Sequence, residues 1–202
     1  MLRNCLICDR PGEICCEECF RELKRIKKGY VHELNYIDEI IVGFSYQGIL
    51  KEMMHEFKFE RKISYADFFS NILLKEIKEH KSYDYISYIP SDALRFAKRG
   101  FNQSKLIAEK IADAWGIKLI RSIKRKSISK PSHLSSSVLR ARKKHDFKFV
   151  AEEYEDDEKR ILLVDDILTT GRTLEEAAKT IRLAREHWRV DALTVLGDVI
   201  GG

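Results

Sequence analysis

With only three prolines and ten glycines in 202 residues, the chain lacks the material for long flexible linkers. No run approaches the ~18 consecutive apolar residues of a membrane span. The first residues carry cysteine and charge where a secretory leader needs an apolar stretch, so the expected location is cytoplasmic. No G-x-x-x-x-G-K-[ST] loop occurs, which excludes a P-loop nucleotide site. There is no internal repeat and no low-complexity tract. Cysteine is missing from the whole chain after residue 19. What remains is a chain 44% hydrophobic, enough for one packed α/β domain and a small appendage.

The five cysteines crowd into the first 19 residues. Cys5-x-x-Cys8 and Cys16-x-x-Cys19 form two knuckles. In a cytosolic setting this spacing reads as one tetrahedral zinc site and not as disulfides; redox cysteines are the competing reading. Cys15 could replace Cys16 only by breaking the x-x spacing. Four thiolates leave no open position for a substrate, so the zinc is expected to be structural. The expected division is a zinc-binding knuckle over 1–28 and a main domain over 29–202.

The densest signal is Ile161–Thr173. Ile161, Leu162, Leu163 and Val164 read as a short buried strand. Asp165 and Asp166 follow at its expected end. Then Thr169, Thr170, Gly171, Arg172 and Thr173 form a small polar run that opens a helix. Thr173 and Glu176 have capping-box spacing, making Thr173 the expected N-cap. Leu174, Ala177, Ala178 and Ile181 give that helix one apolar stripe. Backbone N–H groups, hydroxyls and a helix N-terminus together favour a phosphate. The acids also resemble the opening of a receiver domain, but only 36 residues follow Asp166, too few for its remainder. A Walker B strand would need the missing phosphate loop.

Elsewhere, strands are expected at 39–46, 83–90, 117–121 and 191–196, with a short one at 147–150 closing a hairpin. Helices are expected at 17–26, 48–59, 65–80 and from the Asn102 cap to about Trp115. Ile49, Met53 and Phe57 should face inward, and Lys58 reads as a surface cation near a helix end. The alternation argues a mainly parallel sheet covered on both faces. Ser91, Arg95, Lys98 and Arg99 follow the strand at 83–90, where three cations can meet a second phosphate group.

Net charge is +5, unevenly spread. Ten Lys/Arg residues stand against one acid between Arg121 and Lys148, and six acids follow between Glu152 and Glu158. The basic block, with Lys124, Arg125 and Lys126, suggests a polyanion partner; a merely solvated face is the other reading.

The acid pair and its Thr/Gly loop resemble the phosphoribosyl diphosphate signature of type I phosphoribosyltransferases. With the Cys5/Cys8/Cys16/Cys19 quartet, Phe57-Lys58-Phe59 and Arg99-Gly100-Phe101-Asn102-Gln103, nearly the whole chain resembles the ComF family of competence proteins. The resemblance implies an α/β fold of the type I phosphoribosyltransferase kind plus an N-terminal zinc knuckle. It implies that Asp165 and Asp166 grip the ribose hydroxyls and Thr169–Thr173 cradle the 5′-phosphate. Arg99, helped by Arg95 and Lys98, would neutralise the leaving diphosphate, with Mg²⁺ accompanying phosphoribosyl diphosphate. Asp165, Asp166 and Arg99 are thus the implied catalytic residues. A competence role further implies single-stranded DNA and other competence proteins as partners. The alternative within the family is a non-catalytic, DNA-binding sensor of phosphoribosyl diphosphate. Two departures fall in the hood and basic loop at about 121–150. Lys130-Pro131-Ser132-His133 replaces a Thr-Pro-x-Gln context, and His145 stands where Arg-x-x-Asn is usual, so both histidines join the hood candidates.

Overall fold

The computed structural model describes residues 3–26, 34–77, 82–126, 147–151, 153–154 and 157–198. Its centre is a five-stranded parallel sheet in the order β3-β9-β8-β4-β5. These are β3 (Glu39–Ser45), β4 (Tyr85–Tyr88), β5 (Lys118–Leu119), β8 (Arg160–Leu168) and β9 (Arg189–Gly197). A parallel sheet is covered on both faces, so its central strands are apolar throughout. Along β8 the side chains alternate. Leu162 and Val164 join the core beneath α2 (Gly48–Phe59), α3 (Tyr65–Glu76) and α5 (Gln103–Trp115). Ile161 and Leu163 join the opposite core with α6 (Arg172–Ala184), β6 (Ile123–Arg125) and β7 (Phe147–Phe149). The α/β class with helices on both faces holds. Among the described residues no helix is long and apolar enough to cross a membrane.

Three expectations change in detail. The strand at 117–121 shrinks to β5, and Ile123–Arg125 forms an unforeseen strand pairing antiparallel with β7. The expected hairpin therefore closes on β6. The helix from Glu17, α1 (Glu17–Glu22), stops early, with Leu23 extended. The following backbone is taken by β3: Ser45 N donates to Lys24 O at 2.8 Å, and Arg25 bridges Phe44 antiparallel. On α2 the buried residues are Leu50, Met53, Met54 and Phe57, leaving Ile49 exposed.

The N-terminal segment is a two-stranded hairpin, β1 (Arg3–Asn4) and β2 (Pro11–Gly12), followed by α1. It is sealed onto the main core. Cys15, Phe20 and Leu23 belong to the same apolar cluster as Phe44, and the Phe20 and Phe44 rings meet edge-on at 6.1 Å.

Candidate functional site

The site arises where β8 outruns β4. Both strands pair in register up to Tyr88 opposite Val164, and Ile89 N still donates to Val164 O at 3.0 Å. Pro90 follows; it has no N–H to continue a ladder, and the chain departs. On the other side β9 continues, pairing Asp165 with Thr194, Ile167 with Leu196 and Leu168 with Gly197. The acids therefore lie inside β8, close to its end, where one neighbour has been lost. From β4 the chain goes on to β5 on one side, and from β8 to β9 on the other. The gap between them is the topological switch point where open α/β sheets bind ligands.

A cavity of about 250 Å³ occupies this gap. It is lined by Asp165, Asp166, Thr169, Thr173, Ser91, Arg95 and Arg99 from the expected set. Thr170, Gly171, Arg172 and Lys98 do not line it. Thr170 and Arg172 are exposed, and the Lys98 carbonyl accepts from Arg61. Gly171 is buried at φ 72°, and a Cβ there would come within 3.0 Å of Leu34. That left-handed residue is the N-cap, so α6 starts at Arg172 and the expected Thr173/Glu176 capping box does not form. The cations Arg95, Lys98 and Arg99 ride on a short helix, α4 (Ala93–Arg99), capped by the Asp92 side chain and closed by Gly100 at φ 81°.

The lining also includes residues not expected there from sequence. Lys58, expected as a surface cation, instead reaches in from α2, with Nζ 2.8 Å from Asp166 Oδ2. Ser104 Oγ donates to Asp165 Oδ1 at 2.8 Å, and Asp166 N donates to the same oxygen at 2.9 Å. Burial, and then the charge of Asp166, push the Asp165 carboxyl up to about 7, against the pull of these donors and Lys58. Arg99 Nη1 donates to Gln103 Oε1 at 3.1 Å, and its guanidinium lies 5.1 Å from the Phe59 ring centroid. Arg125 belongs to the cavity and not to an outer basic face: Nε donates to Pro90 O at 2.8 Å. Burial lowers the pKa of both Arg99 and Arg125. The cap of α5 was legible in sequence, and it places Gln103 and Ser104. Asn102 Oδ1 accepts from Lys105 N, while its Nδ2 donates to Ile89 O at 2.9 Å and ties the helix start to the end of β4. Residues 127–146, with the hood departures, His133 and His145, lie outside the described residues.

In the N-terminal segment the Sγ atoms of Cys5, Cys8, Cys16 and Cys19 all lie within 4.8 Å of one another. Cys8 and Cys16 sulfurs are 3.7 Å apart. A tetrahedron with Zn–S bonds of ~2.3 Å has edges of about 3.8 Å, so the donor set fits zinc. Burial would raise the Cys5 thiol pKa, but backbone donors from Cys16, Cys8 and Ile7 bring it down to about 6. Cys15 is outside the cluster, and burial pushes it up to about 12.

No protein-family model matches the chain. The competence protein ComFC of Streptococcus pneumoniae is 30% identical over 142 residues, 70% of this chain and 60% of that protein. The DNA utilization protein YhgH of Salmonella typhi is 28% identical, over 65% of this chain and 60% of that protein. The chain thus spans about 60% of the length of these curated relatives. A solved adenine phosphoribosyltransferase from Thermoanaerobacter pseudethanolicus is similar at 13% identity and a TM-score of 0.44, covering 69% of this chain and 83% of that one. The motifs that resemble the ComF family are thus accompanied by curated homologues that carry competence-protein names.

Proposed function

We propose that the cavity between β4 and β8 binds phosphoribosyl diphosphate with Mg²⁺, and that the chain acts as a phosphoribosyltransferase in DNA uptake. The observation that carries this reading is that one small cavity is lined by charges of both signs. Asp165 and Asp166 line it together with Arg95, Arg99 and Arg125. A donor that carries a diol and a diphosphate on one ribose needs both. Paired carboxylates accept from the ribose hydroxyls, and Thr169 and Thr173 face the same space for the 5′-phosphate. Arg99 and Arg125, both partly stripped of water, meet the diphosphate, with charge stabilisation that is stronger where water is excluded. Carboxylate oxygens are the hard donors that suit Mg²⁺, which supplies further charge neutralisation when it arrives with the donor. A nucleophile attacks ribose C1 as diphosphate leaves, and the protein contributes positioning and electrostatics with no covalent intermediate. The DNA-uptake role follows the competence names of the relatives. Mixing the chain with donor, Mg²⁺ and a panel of nitrogenous acceptors should release diphosphate; donor binding with no release from any acceptor would leave a sensor and remove the transferase.

One observation favours the second reading, a donor-sensing module that holds single-stranded DNA. Lys124 and Lys148 are exposed and directly opposite on the β6–β7 ribbon. Like charges facing across a ladder are destabilising, and a polyanion relieves them. DNA affinity carried by this face should fall steeply with salt, and Lys124→Ala with Lys148→Ala should flatten that slope.

A further inference from the structure

Gln103 is 2% exposed and lines the cavity, yet its Nε2 has no hydrogen-bond partner among the described residues. The orientation of the amide is fixed. Arg99 Nη1 donates at 3.1 Å to Oε1, and a guanidinium can only donate, so the oxygen faces Arg99 and the NH₂ faces away. A buried donor left unpaired is unfavourable, and native structures rarely keep one without a reason. Gln103 also opens α5, a thirteen-residue helix whose N-terminal end carries partial positive charge. Gln103 and Arg99 both line the cavity, beside Ser104 from the first turn of α5. The unpaired amide, the helix end and the guanidinium each attract a ligand oxygen bearing negative charge.

From this arrangement we infer that Gln103 Nε2 is a ligand-binding donor for a non-bridging oxygen of the diphosphate group. The inference rests on the phosphoribosyl diphosphate reading and adds a residue and a subsite to it. Arg99 serves the subsite twice, meeting the diphosphate directly and locking the amide of Gln103 in the donating orientation. The affinity for diphosphate therefore exceeds what the cations alone confer.

Two variants of the full chain test it by calorimetric titration. Gln103→Glu keeps an oxygen for Arg99 but replaces the donor with a carboxylate. Gln103→Met keeps the approximate shape without charge. The ligands are inorganic diphosphate, ribose 5-phosphate, and phosphoribosyl diphosphate with Mg²⁺. Loss of a hydrogen bond to a charged group corresponds to roughly tenfold or more in affinity. Gln103→Met should lose about that for diphosphate, and Gln103→Glu more, through repulsion. Neither should change ribose 5-phosphate affinity. Ligand-free Gln103→Glu should unfold no earlier than the wild type, since it discards an unpaired donor and gains an ion pair. Diphosphate affinity within twofold of wild type in either variant overturns the inference while the donor reading stands. Equal losses for both ligands, with earlier unfolding, mark a structural role and also overturn it. A wild-type chain that binds none of the three ligands removes the donor reading itself.

Discussion

Lys58 Nζ lies 2.8 Å from Asp166 Oδ2, with the two side chains 16% and 15% exposed. This ion pair ties α2 to the acid-bearing strand and sets one cation against two adjacent carboxylates. Asp165 is otherwise held by Ser104 and by the backbone of its neighbour.

Lys58→Met should destabilise the ligand-free chain, because Asp166 loses its cation while remaining largely shielded from water. Removing one member of a fully buried pair costs about 3–5 kcal/mol, and the opening to the cavity reduces this to roughly 1–3 kcal/mol. Urea unfolding at neutral pH measures it. An unchanged midpoint would mean that the pair is no more than a surface contact.

Asp165 makes a prediction with a definite sign. Its carboxyl is pushed up to about 7 by burial and by Asp166. A carboxyl raised in the folded state carries no penalty below its unfolded value of ~3.9; the penalty grows as pH rises and is complete above about 7. Asp165→Asn should therefore stabilise the fold at pH 8, with the gain shrinking towards pH 5. Three units correspond to a ceiling of about 4 kcal/mol, and access to the cavity brings the expected gain nearer 1–2 kcal/mol. Thermal unfolding of both proteins across this range checks it. A gain that is flat with pH would contradict the assignment.

These two residues also mark what was legible in sequence. Asp165 and Asp166 stood out because a buried apolar strand ended in charge beside a Thr/Gly loop. Pro90 could be read as the end of a strand. Lys58 could not be read, since its partner is far away in sequence and a lysine near a helix end has an ordinary surface role. The length of β8 was missed for a related reason. Its last residues are held by the register with β9, and their polarity suggested a loop. Helix α4 has no buried residue, so it leaves no apolar period to detect. Gln103 and Ser104 were within reach through the Asn102 cap, but the direction of their side chains depends on how α5 docks against β4.

The cysteine cluster predicts about one zinc per chain in protein purified without added metal. Cys15, Phe20 and Leu23 share a core with Phe44, so stripping zinc with a chelator should lower the unfolding temperature of the whole chain. The Cys15 thiol, raised to about 12, should resist alkylation at pH 8 before and after chelation. Purified protein with no zinc and freely reactive thiols would contradict the metal site.

Calorimetric titration of phosphoribosyl diphosphate with Mg²⁺ into wild type, Asp165→Asn and Asp166→Asn at pH 8 tests the centre of the proposal. At this pH the Asp165 carboxyl is mostly charged, so each substitution replaces charge-assisted hydrogen bonds with neutral ones. The wild type should bind, and each variant should lose about 1–3 kcal/mol while remaining folded. Equal affinity in all three folded proteins would show that the acid pair does not hold a ribose diol.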